Sequence, residues 1–213
     1  MSGCDKEFLA LPLLERKKVL RKRAKGVLKE LFSDINLAEQ MSKSVAESFL
    51  KTDLYKNAPA IFAYMAMNDE IDLKLILEKT LQDGKKLYLP RMKPGTNEMD
   101  FYLIEDLNSS FTDDNLYKIL EPSDFCQKIE HEEIDSGSVF LVPGLAFNLN
   151  GARLGRGKGY YDKYLSSVVS QKKAVYFCGV CSVNVITKEI PVESNDIFMT
   201  HILNEYGFEK CYN

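Results

Sequence analysis

Alternating strands and helices joined by short links predict an α/β fold, a Rossmann-like three-layer sandwich around a mostly parallel central sheet. The first observation is the apolar stretch 60–65, Ala-Ile-Phe-Ala-Tyr-Met, which has the length of a buried strand. The second is the helical spacing of Leu73, Ile76, Leu77 and Leu81 just after that stretch, succeeded by Lys86-Leu-Tyr-Leu-Pro90 as a new strand. Such a unit is expected to form a parallel pair with a right-handed crossover. The third is the return of this pattern near the end of the chain, where the apolar run Ser138-Val-Phe-Leu-Val142 leads through a glycine-rich loop into a helix over 160–169.

Taken in order, Leu13, Leu20, Ala24, Val27, Leu28 and Leu31 recur on one helical face, with Lys17, Arg21, Lys22, Arg23, Lys25 and Lys29 around them. This is an amphipathic helix with a basic side. A second helix is expected to start at Asn36, capped by that side chain while Glu39 reaches back, with Leu37, Met41, Val45 and Phe49 inward. The polar turn Asn68-Asp-Glu70 precedes the third helix, and Gly84 supplies the positive φ that ends it. Residues 99–104 form a further strand, whereas 108–136 is polar, contains Pro122 and shows no sustained period, as expected of a surface excursion. Strands over 174–180 and 197–203 complete the set. No repeat or flexible linker divides the chain, so residues 1–213 are expected to be a single domain.

A count of 28 basic against 31 acidic residues leaves a net charge of -3 and no global field to attract nucleic acid or a membrane surface. No stretch has the roughly 18 consecutive apolar residues of a membrane span, and residues 1–7 lack the apolar core of a signal peptide. The five cysteines are an odd number and read as reduced thiols, so a cytoplasmic protein acting as a monomer is expected. Cys178 and Cys181 have the spacing of a redox or zinc pair, but without a second pair they read as core thiols. His131 and His201 are too few for a zinc site or a serine-type triad.

The chemistry concentrates in Gly151-Ala-Arg-Leu-Gly-Arg-Gly-Lys-Gly-Tyr-Tyr-Asp162. Gly155, Gly157 and Gly159 let the backbone turn tightly, so that its N–H groups converge with Arg156 and Lys158 on one anion at the start of a helix. Phosphate is the natural occupant. The run is not a P-loop, because Ala152 stands where the first glycine belongs and Gly159 replaces the hydroxyl residue that would bind Mg²⁺. Asp162, with Asp196 as a second carboxylate, can take over that task. Lys17 and Arg21, four residues apart, share a helical face and could reach a phosphate, although alone they would read as a solvated basic stripe. Glu70 could accept two hydrogen bonds from an amidine-like ring edge, or simply serve as an acidic helix N-terminus.

Val142-Pro-Gly-Leu-Ala-Phe147 together with the run 151–162 resembles the signature of the 5-formyltetrahydrofolate cyclo-ligase family, the 5,10-methenyltetrahydrofolate synthetases. The resemblance extends through Lys17-Lys-Val-Leu-Arg21, Asn68-Asp-Glu-Ile71, Pro90 and Asn195-Asp196, and is weakest over 108–136. It implies a compact α/β sandwich that uses ATP and Mg²⁺ to convert 5-formyltetrahydrofolate into 5,10-methenyltetrahydrofolate, releasing ADP and phosphate. It implies ATP contacts at Lys17, Arg21, Arg153, Leu154, Gly155, Arg156, Gly157, Lys158, Gly159, Tyr160 and Tyr161, with Arg156 and Lys158 acting on the transferring phosphoryl group. Folate falls to Met65 and Glu70, and Mg²⁺ to Asp162 and Asp196. Two other readings of the loop remain open at this point: transfer of phosphate to another small acceptor, and a non-catalytic module that binds anions or RNA.

Overall fold

Strict alternation along the central strands sends successive side chains to opposite faces, and with both sets apolar each face needs a helical layer to cover it. The computed structural model describes residues 8–108, 110–112 and 120–212. Its helices are α1 (Leu13–Leu31), α2 (Ile35–Leu50), α3 (Asp53–Asn57), α4 (Lys74–Gln82) and α5 (Tyr160–Ser170). The principal strands are β1 (Ala60–Phe62), β2 (Lys86–Met92), β3 (Met99–Ile104), β6 (Val139–Pro143), β9 (Tyr176–Val180), β10 (His201–Asn204) and β11 (Gly207–Lys210). Short pairs are made by β4 (Phe111–Thr112) with β5 (Glu121–Pro122), and by β7 (Ala146–Phe147) with β8 (Arg153–Leu154).

The large sheet runs β11-β10-β9-β6-β1-β2-β3. Its five inner strands are parallel, while β3 and β11 close the two edges in antiparallel register. One core holds Phe62, Tyr88, Phe140, Phe177 and Ile202 beneath α1 and α5. The other holds Ile61, Leu87, Leu141, Cys178 and Leu203 beneath α2 and α4. This is the three-layer α/β sandwich expected from the sequence. Phe62 stacks between Tyr88 and Phe140, with ring centroids 4.7 and 4.1 Å away. Such stacks add about 0.5–1.5 kcal/mol each to plain burial. Cys178 and Cys181 belong to different cores, and burial pushes both thiols up, so the pair is structural.

Several boundaries differ from expectation. The cap of α2 is Asp34, whose carboxylate accepts from the Leu37 N–H at 3.1 Å, and Asn36 lies inside the helix. β1 stops at Phe62, after which the chain leaves the sheet and Tyr64 donates its hydroxyl proton to the Ile71 carbonyl at 3.1 Å. That bond closes the loop carrying Met65 and Glu70. The strand expected over 197–203 begins only at His201, and β11 was not foreseen. The polar segment 108–136 falls partly outside the described residues, but its β5 strand packs against β2. Among the described residues no helix is long and apolar enough to cross a membrane.

Candidate functional site

From β1 the chain crosses to β2 on one side, whereas β6 pairs with β1 on the other. A parallel sheet that changes winding direction in this way opens a crevice at the carboxyl ends of the two diverging strands. A cleft of about 670 Å³ lies there, lined by Tyr64 and Met65 after β1, by Pro143 at the end of β6, and by every residue that the family resemblance assigns to ATP, folate or metal.

The glycine-rich loop owes its course to two residues of positive φ, Gly157 at 103° and Gly159 at 76°, the latter forming the N-cap of α5. A side chain at Gly157 would meet the Arg21 guanidinium at ordinary contact distance, 3.4 Å from its would-be Cβ, so it is the positive φ that calls for glycine there. Arg21 donates from Nε to the Gly155 carbonyl at 3.0 Å, fastening the loop to α1. The hairpin after β2 is fastened to α5, with the Tyr160 hydroxyl donating to the Thr96 carbonyl at 3.1 Å and Lys163 donating to Asn97.

Arg156 bridges the two halves of the cleft. It donates from Nε and Nη2 to Glu70 Oε1 at 3.1 and 2.9 Å, and from Nη1 and Nη2 to the two Asp69 oxygens at 3.2 and 2.5 Å. Burial alone would pull its pKa down, but Asp69 and Glu70 outweigh that and hold it above the ordinary arginine value. The other Glu70 oxygen accepts from the Met67 N–H at 3.0 Å. Glu70 is therefore satisfied from within the protein, a circumstance its sequence position did not reveal.

Lys17 departs from the solvated stripe its spacing suggested. Its ammonium is buried and contacts Asp196 at 2.6 Å and Glu193 at 2.8 Å. Burial opposes the charge, but those two carboxylates prevail and raise its pKa. Arg153 is buried as well, donating to Asp162 at 2.9 Å and to the Pro143 carbonyl at 3.2 Å. Lys158 is exposed and makes no ion pair among the described residues. The Tyr161 hydroxyl is buried without a hydrogen-bond partner among the described residues, and burial first, then the Glu70 charge, pushes its pKa up.

Asp162 and Asp196 both face the cleft, and Asp162 Oδ1 accepts from the Ile197 N–H at 3.4 Å, beside Asp196. No cluster of three or more His, Cys, Asp or Glu side chains suited to a metal occurs among the described residues. Mg²⁺ needs no such cage, since it keeps several waters and binds through one or two carboxylates together with substrate phosphates. The two aspartates fit an ion that arrives on a nucleotide. Sequence reasoning missed Glu193 and Glu121 in this cleft. Glu193 could have been found from its position three residues before Asp196, whose carboxylate accepts from the Glu193 N–H at 2.8 Å.

The sequence model of the 5-formyltetrahydrofolate cyclo-ligase family matches residues 14–205. The chain belongs to this family. Among its relatives are the 5-formyltetrahydrofolate cyclo-ligase of Mus musculus, 28% identical over 92% of this chain and 97% of the relative, and that of Saccharomyces cerevisiae, 29% identical over 88% and 94%. The solution structure of the Aquifex aeolicus 5,10-methenyltetrahydrofolate synthetase superposes with a TM-score of 0.74 at 25% identity, covering 92% of this chain and 93% of that one. A synthetase from Mycoplasma pneumoniae shares the fold, with a TM-score of 0.64 at 21% identity, over 89% of this chain and 98% of that one. Membership makes this a cyclo-ligase scaffold of folate metabolism, and its switch-point cleft is the candidate active site of the family member.

Proposed function

We propose that this protein catalyses the ATP- and Mg²⁺-dependent cyclisation of 5-formyltetrahydrofolate to 5,10-methenyltetrahydrofolate, with release of ADP and phosphate. A formamide carbon is a weak electrophile and its oxygen a poor leaving group, so closure by N10 alone stalls at loss of that oxygen. In the proposed sequence the formyl oxygen attacks the γ-phosphorus of ATP and ADP departs, leaving an N5-iminium phosphate. N10 then adds to the formyl carbon and gives up its proton, and phosphate leaves with the electron pair of the C–O bond.

All attacking atoms belong to the substrates, which leaves the protein the work of positioning and charge stabilisation. Arg156, Lys158 and the amides of the glycine-rich loop would hold the transferring phosphoryl group, and each donor of this kind is worth about 3–4 kcal/mol in such transition states. Lys17, Arg21 and Arg153 would hold the remaining phosphates, with Leu154, Tyr160 and Tyr161 shaping the pocket, and Met65 and Glu70 would meet the folate. A bound Mg²⁺ would neutralise charge on the polyphosphate, held by Asp162 and Asp196 once Arg153 and Lys17 turn to the phosphates.

The observation that carries this reading is the Arg156 bridge, which brings the phosphate loop and the Glu70 turn into one cleft. The test is direct. Purified protein mixed with 5-formyltetrahydrofolate, ATP and Mg²⁺ should generate the near-ultraviolet absorbance of the methenyl product together with stoichiometric ADP. Formation of ADP without methenyl product would point to another phosphoryl acceptor, and the absence of both would overturn the reading.

A further inference from the structure

The lining of the cleft contains a buried carboxylate that the proposed phosphoryl chemistry leaves idle. Glu121 lies on β5, is 7% exposed and lines the cleft beside Met92, Met99 and Leu120. Its Oε1 accepts from the Met92 N–H at 3.1 Å. No further hydrogen bond and no ion pair to it is formed among the described residues. Arg91, whose charge acts on it, is paired with Asp124 at 2.6 Å. A buried carboxylate without a cation is costly unless donors reach it. Burial raises its pKa accordingly, with the Met92 amide and Arg91 offsetting only part of the effect.

Glu70 is the contrasting case. Both its oxygens are already engaged, one by two Arg156 N–H groups and the other by the Met67 amide. A flat heteroaromatic ring with two adjacent N–H donors finds a vacant acceptor at Glu121 without displacing an internal partner, whereas at Glu70 it would have to displace Arg156 or the Met67 amide. Pro90, Met92 and Met99 supply the soft apolar surroundings on which such a ring lies well. We propose that Glu121 is the specificity-determining residue for the pterin of the folate, accepting hydrogen bonds from its N3–H and 2-amino group. This inference rests on the folate reading of the cleft and assigns the ring edge to a residue different from the one the sequence suggested.

The test compares wild-type protein with Glu121→Gln, whose amide oxygen can still accept from Met92 and so preserves the fold contact. The expected result is a rise of about 10- to 100-fold in KM for 5-formyltetrahydrofolate, the usual cost of losing a charged hydrogen bond, with KM for ATP unchanged. A folate analogue lacking the 2-amino group should be disfavoured by wild-type protein and accepted about equally with the natural substrate by Glu121→Gln. An unchanged folate KM, a parallel rise in both KM values, or undiminished discrimination against the analogue would overturn the assignment while leaving the cyclo-ligase reading intact. Failure of wild-type protein itself to bind or convert 5-formyltetrahydrofolate would instead remove the reading on which the assignment depends.

Discussion

Arg156 donates four hydrogen bonds to two carboxylates from one planar group, a geometry that an ammonium on a flexible stem cannot reproduce. Under the proposed mechanism the same fork must serve the transferring phosphoryl group, so Arg156→Ala should lower kcat by roughly 10²–10³-fold in the cyclisation assay. Arg156→Lys should recover only part of that loss, because charge returns without the fork. Equal activity of the lysine variant and wild-type protein would show that charge alone suffices. His201 offers a prediction about stability. It stacks on Phe208 with centroids 4.7 Å apart, and burial, then Lys210 opposite it in the β10–β11 ladder, hold its pKa below the ordinary 6.5. The unfolded chain thus takes up the proton first as pH falls, so the contribution of the neutral ring is intact above pH 6.5 and declines on acidification towards the lower folded value. Urea midpoints measured from about pH 7.5 to about pH 5.5 should fall more for wild-type protein than for His201→Gln.

At the scale of elements, the close approach of Phe147 on β7 to the central sheet requires a glycine on β9. A Cβ added to Gly179 would stand 2.3 Å from Phe147 Cε1, and one added to Gly144 2.6 Å from Phe147 Cζ. Gly179→Ala should therefore destabilise the fold by about 1–3 kcal/mol. A fall of several degrees in the thermal midpoint would register it, and combining it with Phe147→Leu should restore much of the loss. The apolar strands and amphipathic helices were legible in the sequence because burial on both faces leaves a dense apolar pattern. β11 was not, since Gly-Phe-Glu-Lys at a sheet edge is held by backbone pairing rather than by a buried face. The α2 cap shifted from Asn36 to Asp34 because either side chain suits the role, and only the path out of α1 decides between them. The glycine-rich loop, Glu70 and Asp196 were legible as separate motifs. The pairings among them were not, because Lys17 and Asp196 are 179 residues apart and Arg156 and Asp69 are 87 apart. Glu121 stayed hidden in a polar segment with no period to mark it as buried.

At the scale of the whole molecule, the sheet draws α1, the β1 loop, the glycine-rich loop and the segment around Asp196 to the carboxyl ends of its central strands, so a ligand filling the cleft ties distant parts of the chain together. MgATP at about a hundredfold excess over Kd should add roughly 2.7 kcal/mol to stability, read as a thermal shift that Lys17→Met reduces. Three cations of the cleft are already matched by carboxylates. Lys17, Arg153 and Arg156 each face a carboxylate, whereas Arg21, Lys25 and Lys158 line the cleft with no ion pair among the described residues, so a polyphosphate that engages the first three must exchange places with an internal counterion. Engagement of those three cations should then proceed as a displacement, and their carboxylates should temper the attraction that the cleft exerts on ATP. Replacing Glu193 by Gln and Asp69 by Asn strips counterions while leaving the cations in place. Rapid mixing with a fluorescent ATP analogue should show faster capture by that double variant and a steeper decline as salt is added. Equal salt slopes for the two proteins would mean that the carboxylates do not shield the wall at all.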